Sequence, residues 1–266
     1  MRIIDTSSDF QSVYDDGKFN LDAWEIYIDR WIPNAKELCL CDMKDCINAG
    51  YSWDEDYVPV LNAVHTNHEK REETVRAFCE ISEHLEKKLT KVFGKSADAD
   101  IVLYIGLCNG AGWVTKIQER TTVLLGIEKI IELDWCGKDD MIGLMIHELG
   151  HVYQSQYGSL SYQENSMAEK LLWQLFTEGV AMVFEQEIVG DAEYYHQNKN
   201  GWKEWCDQNY KLLKSSFCRD MTMMTQETQR YFGDWVRFED HSDVGYYLGA
   251  RFVRYLLKND CFENII

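Results

Sequence analysis

The fold and the chemistry of this chain are decided by the stretch His147-Glu148-Leu149-Gly150-His151. Apolar residues recur around this stretch at helical spacing, namely Met141, Leu144, Met145 and Leu149. The spacing predicts a helix, on which residues four apart share a face, so both imidazoles can bind one Zn²⁺ at about 2.0–2.1 Å. Glu148 then projects beside the metal. The alternative is a chance pattern of two surface histidines on an amphipathic helix.

A third protein ligand is required, because a catalytic zinc site uses three protein ligands and keeps its fourth position open. The sequence offers Glu178, in Thr177-Glu178-Gly179-Val180-Ala181, within a strongly apolar segment of helical spacing. A carboxylate among such neighbours is costly to bury unless a cation neutralises it. We therefore expect Glu178 to complete the site of one catalytic Zn²⁺; the alternative is a boundary glutamate that faces solvent.

The two motifs together resemble the gluzincin metallopeptidases, whose second zinc-binding helix carries a Glu-Gly pair with small apolar neighbours. The resemblance implies that His147, His151 and Glu178 bind zinc and that Glu148 is the general base and then the proton shuttle. It also implies a zincin-like fold. Met182 stands where some gluzincins place an Asp that orients a zinc histidine, so another group must orient the ligands here.

The segment Gly245–Val253 is similar to a Gly-Tyr-x-x-Gly-Tyr-Arg-hydrophobic-Val pattern of a bacterial group of predicted Zn-dependent proteases, with Ala250 in place of the second Tyr. Tyr246 lies at the border of the apolar stripe of this helix, whereas Tyr247 points largely away from it. We expect Tyr246 to stabilise the developing oxyanion, a role for which peptide hydrolysis needs a donor. The alternative is an ordinary packing aromatic. His241 is a second candidate for an oxyanion or substrate contact, against the alternative of a surface loop histidine.

The order of elements predicts an α+β fold, rich in helices. A long helix with apolar positions from Val75 to Val92 ends at Gly94, and short strands follow, rich in β-branched and aromatic residues. The predicted strands are 2–5, 101–107, 113–117 and 121–127, and the later helices are 168–188, 202–213 and 244–257. We expect a small, mainly antiparallel sheet before the active-site helix and a helical C-terminal lobe.

The chain is expected to be a single catalytic domain, 1–266. Its N-terminal subdomain, 1–158, holds the sheet and the HExxH helix, and its C-terminal subdomain, 159–266, holds the third zinc ligand. In zincins an edge strand pairs with extended substrate, and 121–127 lies at the corresponding place in the sequence. Gly126 would admit the close approach of a substrate backbone.

The net charge and the cysteine content indicate the cellular compartment and the classes of binding partner. The 27 Lys and Arg against 45 Asp and Glu give a net charge of −18, which disfavours nucleic acid and membrane surfaces. The nine cysteines are odd in number and mostly isolated, and Cys39, Cys41 and Cys46 lack the CxxC spacing of structural zinc sites. This cysteine pattern predicts reduced thiols. Because the sequence also shows no signal peptide and no apolar segment long enough to span a membrane, we expect a cytoplasmic protein. His65, His68, His84 and His196 are expected to be solvated.

These observations predict a zinc-dependent peptidase that hydrolyses peptide or protein substrates with metal-activated water and Glu148 as the base. The alternative is a non-catalytic zinc-binding regulatory or interaction protein on the same fold. A third and weaker hypothesis is an acidic helical interaction protein in which the HExxH pattern arose by chance. The aminopeptidase motif GAMEN is absent, which favours an endopeptidase or oligopeptidase. The oligomeric state and the role of residues 1–94 stay open.

Overall fold

The computed structural model describes residues 1–163, 166–225 and 227–266. The chain divides into two compact units, Met1–Glu148 and Leu149–Ile266. This division lies inside a helix, whereas the sequence placed the boundary in the loop near Gly158. The difference has a packing reason: a methyl group on Gly158 would lie 2.5 Å from the carbonyl carbon of Ile266, so this loop packs within the second unit.

Helices make up most of the first half of the first unit. They are α1 (Leu21–Trp31), α2 (Lys36–Asn48), α3 (Val58–Thr66), α4 (His68–Ser82) and α5 (Leu85–Phe93), with a 3₁₀ helix at Ser7–Val13 and a π-helical turn at Trp53–Tyr57. The side chains of Asn20 and Asn67 cap α1 and α4 by accepting backbone N–H groups. The predicted helix from Val75 to Val92 is two helices, which break at Glu83 and His84. It ends as predicted at Gly94, in the left-handed conformation.

The sheet of the first unit has four strands, β1 (Arg2–Asp5), β4 (Asp100–Tyr104), β5 (Gly112–Ile117) and β6 (Arg120–Gly126). A separate pair, β2 (Tyr14–Asp15) and β3 (Lys18–Phe19), forms a small antiparallel ribbon. The order in the main sheet is β1-β4-β6-β5, with β1, β4 and β6 parallel and β5 antiparallel to β6. The prediction of a mainly antiparallel sheet is therefore wrong. The five helices between β1 and β4 form a long crossover, which brings the chain back in the same direction.

Strand β5 forms one edge of the sheet, and β6 lies inside the sheet between β4 and β5. The prediction that 121–127 is the substrate-binding edge strand, with Gly126 open to a substrate backbone, is therefore wrong. Gly126 is engaged within the protein: its N–H donates to Ala111 O at 3.0 Å, and a methyl group on it would lie 2.6 Å from Gly110 O. The close backbone approach exists, but with the loop before β5.

The remaining helices follow the sheet along the chain. They are α6 (Ile127–Glu132), α7 (Lys138–Tyr157), α8 (Met167–Val189), α9 (Trp202–Asp220), α10 (Val244–Leu256) and α11 (Phe262–Ile265). The three late helices predicted from the sequence are confirmed as α8, α9 and α10. The Ser166 side chain caps α8 by accepting the N–H of Glu169, and Gly190 ends it at φ 87°.

Helices α8 and α10 pack against each other at two glycines of the second unit. A methyl group on Gly179 would lie 2.3 Å from Gly249 O, and one on Gly249 would lie 2.6 Å from Leu175 O. Since the obstacle at both positions is backbone, no side chain can rotate out of the way. The Glu178-Gly179 pair of the sequence motif therefore also fixes how closely these two helices approach.

We expect Gly179→Ala to lower the free energy of unfolding by at least about 2 kcal/mol, because overpacking costs about 1–3 kcal/mol and the backbone of α10 cannot yield. That loss lowers the unfolding midpoint by about 4–8 °C, measurable by circular dichroism. Gly137→Ala is the control, because its methyl group would meet no atom closer than 3.5 Å. Equal midpoints for the two variants would contradict this account of the helix contact.

Among the helices of residues 1–163, 166–225 and 227–266, none has both the length and the apolar character that crossing a membrane requires.

Candidate metal centre

Helix α7 carries the HExxH motif, as the spacing predicted. His147 and His151 stand one turn apart on this helix, so their side chains share a face. His147 is 4% exposed and Glu148 is 7% exposed, while His151 is half-buried. The first histidine of the pair is therefore buried, and the second is partly accessible.

Helix α8 carries Glu178, and in the second unit this carboxylate meets His151. Glu178 Oε2 lies 3.3 Å from His151 Nε2, and each side chain keeps 17% of its surface exposed. The residues that follow Glu178 on the helix, Gly179, Val180 and Ala181, are buried. The sequence prediction that Glu178 lies beside the HExxH histidines agrees with this contact.

One ligand atom from each of His147, His151 and Glu178 lies within 4.8 Å of the others. Ligand atoms at about 2.0–2.1 Å from a tetrahedral zinc ion stand about 3.4 Å apart, close to the separation of His151 Nε2 and Glu178 Oε2. Two imidazoles and one carboxylate are also a donor set that catalytic zinc sites use. This donor set and the separation of His151 and Glu178 therefore fit a zinc ion.

Glu148 contacts the first residue of the edge strand. A methyl group on Gly112 would lie 2.7 Å from Glu148 Oε1 and 2.8 Å from its Cγ. A larger residue at the start of β5 would therefore displace this carboxylate. The sequence pattern does not single out Gly112.

The loop that leads into β5 is held by a carboxylate that the sequence analysis missed. Glu128, fully buried at the start of α6, accepts the N–H of Gly106 at 2.9 Å and that of Cys108 at 3.1 Å. Burial raises the pKa of this carboxyl to about 7, although the two N–H bonds favour the charged form. An acidic residue next to Ile127, Ile130 and Ile131 was the available sequence signal.

Tyr246 and Tyr247 sit side by side on α10 in different environments. Tyr246 is half-buried and packs edge-to-face on Phe232, with ring centroids 5.9 Å apart. Tyr247 is 1% exposed, and its hydroxyl donates to Asp207 at 2.7 Å. The expectation that Tyr247 points away from the core is therefore wrong, because its hydroxyl has an acceptor on α9. The border position of Tyr246 agrees with the sequence, and its oxyanion role stays a prediction.

His241 contacts α9 and residues of its own loop. Its ring stacks on Trp205 at a centroid separation of 3.9 Å, and its Nδ1 lies 2.7 Å from Glu239 O. Its backbone also pairs with Phe238 in an isolated bridge. These contacts account for its place in the loop, and the proposed substrate contact stays a prediction.

His196 is not solvated, contrary to the sequence analysis. It is 4% exposed, its Nδ1 lies 2.9 Å from Glu185 Oε2, and its backbone N–H donates to Glu185 Oε1 at 3.2 Å. Ligand atoms of His147, Glu185 and His196 also lie within 4.8 Å of one another. All three are buried, whereas a catalytic ion must meet substrate. Glu185 is seven residues after Glu178, a spacing that places both on one face of α8 and that the sequence analysis overlooked.

The cysteines do not form a metal site in the part of the chain that the structure describes. All nine are free, and neither cluster of metal-ligating side chains found in residues 1–163, 166–225 and 227–266 contains a thiol. Burial raises the pKa of the Cys39 thiol to about 12, which disfavours the thiolate that zinc would need. That Cys39, Cys41 and Cys46 are plain thiols stays a prediction.

Comparison with known protein families identifies a family to which the chain belongs. A family model described as a predicted Zn-dependent protease (DUF2268) matches residues 81–265, more than half of the chain. The matched span contains both the HExxH motif on α7 and Glu178 on α8. No curated protein and no solved structure matches the chain.

Proposed function

The chain belongs to the predicted Zn-dependent protease family (DUF2268), and on that premise we propose that it is a zinc peptidase of the gluzincin type on a zincin-like fold. The observation that carries the proposal is the convergence of His147, His151 and Glu178 within 4.8 Å. These three side chains would hold the ion. When bound, zinc would supply Lewis-acid chemistry by lowering the pKa of a water molecule and polarising the scissile carbonyl.

Glu148 is the proposed acid and base. Its carboxylate would take a proton from the attacking water and later deliver a proton to the leaving amine. Contact with Gly112 supports this role, because it places the carboxylate where the edge strand of the sheet begins. Tyr246 is the proposed donor to the oxyanion, since this half-buried tyrosine retains accessible surface on α10.

The proposed substrate is an extended peptide that adds to the free side of β5. Within the described residues β5 pairs with β6 alone, so its outer N–H and C=O groups can pair with another strand. This places the peptide beside Gly112 and hence beside Glu148. The net charge of −18 favours the approach of cationic peptides.

The proposal is tested with a quenched-fluorescent random peptide library and the zinc-loaded protein, with new peptide termini identified by mass spectrometry. We expect cleavage that stops when a chelator removes the ion and returns when zinc is restored. Stoichiometric zinc without cleavage of any peptide would contradict the peptidase proposal and favour the non-catalytic zinc-binding alternative.

We expect Gly112→Ala to lower kcat about 10–100-fold with zinc retained, because the added methyl group displaces the Glu148 carboxylate, and misplacement by about 1 Å costs up to about 100-fold. Steady-state kinetics with a cleaved library peptide and elemental analysis measure the two quantities. Gly137→Ala again serves as the control. A Gly112→Ala enzyme with wild-type kcat would show that the contact with β5 does not position Glu148.

A further inference from the structure

A cavity of about 390 Å³ lies in the second unit between α8, α9 and α10. Its apolar wall consists of Leu172, Leu175, Phe217, Met221, Leu248 and Phe252. Leu172 is 41% exposed and Tyr255, at the rim, is 62% exposed, although both are large and apolar. Exposed apolar surface around a cavity of this size is typical of a site for a small molecule, for which volumes of about 300–1,000 Å³ are usual.

Two cations line the same cavity, and no acidic residue of the described chain does. Lys214 is exposed and makes no ion pair within residues 1–163, 166–225 and 227–266. The Arg251 guanidinium lies 5.4 Å from the centre of the Tyr210 ring and reaches Glu193 only at 4.0 Å. The other carboxylate oxygen of Glu193 is bound by Lys203 at 2.8 Å. In a chain of net charge −18, this cavity is therefore locally positive.

We propose that the cavity binds an amphipathic carboxylate, with its apolar tail between the three helices and its carboxylate at Lys214 and Arg251. The apolar wall favours the tail because each buried methylene removes apolar surface from water. The two cations select an anionic head and disfavour a cationic one. This site lies within the second unit and is independent of the proposed peptidase activity.

Cys218 reports on occupancy, because it lines the cavity and its side chain is exposed. Alkylation of each cysteine by a small maleimide is followed by peptide mass spectrometry, with and without decanoate below its micellar concentration. We expect decanoate to slow alkylation of Cys218 at least fivefold while the exposed Cys41 and Cys261 react at unchanged rates. Decyltrimethylammonium, which has the same tail and the opposite charge, should give no protection.

The cations are tested by Lys214→Gln and Arg251→Gln. Each should raise the decanoate concentration for half-protection about fivefold, as expected for loss of one exposed charge pair. Lys211→Gln, an exposed position on the same helix outside the cavity, should change nothing. Unprotected Cys218, or equal protection by decanol, would overturn the proposal. Protection that rises with protein concentration in the absence of decanoate would also overturn it, in favour of contact with a second copy of the chain.

Discussion

We expect Glu148→Gln to lower kcat for peptide hydrolysis by about 10²–10⁴-fold, the usual contribution of a general acid or base, and to leave zinc in place. Glutamine keeps the shape of the side chain and its packing against Gly112, but it can neither take nor deliver a proton. The measurement is kcat on a library peptide, together with zinc per chain by elemental analysis of the same sample.

The matched control for this substitution is Glu119→Gln, which makes the same chemical change at an exposed turn of the first unit. Wild-type kcat is expected for it. A Glu148→Gln protein that keeps more than about a tenth of wild-type kcat would contradict the role of Glu148, because loss of a general base costs at least about 100-fold.

We expect Glu178→Ala to lose both zinc and activity. Removal of a ligand should cost more than about 100-fold in zinc affinity, because substitution of partners that only orient the ligands already costs about 10–100-fold. Zinc affinity is measured by competition with a chromophoric chelator. Circular dichroism establishes that α8 still folds, which we expect because the Glu178 side chain contacts His151 at its partly exposed end.

Glu187→Ala is the control on the same helix, where an exposed carboxylate pairs with Arg254. Loss of that surface pair should leave zinc binding unchanged. If Glu178→Ala retained zinc with wild-type affinity while Glu187→Ala did the same, the third ligand would have to be a different residue.

Features set by local geometry could be predicted from the sequence. The four-residue spacing of His147 and His151 fixes their common face as soon as the segment is helical. Glu178 was found because a carboxylate in an apolar helix needs a compensating partner. Helices α8, α9 and α10 were found because their apolar residues recur with the period of the helix.

Features set by pairing between distant segments could not be predicted in this way. The place of β6 between β4 and β5 depends on which strands meet after a crossover, and alternation along a strand carries no information about its neighbours. For that reason the sequence pattern predicts the edge strand at 121–127, which is β6, whereas β5 lies at the edge of the sheet. The break between α4 and α5 escaped notice because Ile81 and Leu85 both stay buried across it.

Buried polar residues form a second class that sequence patterns do not identify. His196 lies in a polar segment and Glu128 in an apolar one, yet both are buried and satisfied by hydrogen bonds. Tyr247 is a third buried polar residue, and a helical wheel of α10 places it away from the apolar stripe. Its hydroxyl finds an acceptor in Asp207, forty residues earlier in the chain, and a helical wheel of one helix cannot include that partner.

X-ray absorption spectroscopy of the zinc-loaded wild-type protein tests the central claim most directly, because it identifies the atoms bound to the ion. Ligation by His147, His151 and Glu178 predicts a shell of nitrogen and oxygen alone at about 2.0–2.1 Å, with the outer scattering of two imidazoles. A sulfur shell at about 2.3 Å would place the ion on cysteines and contradict the account.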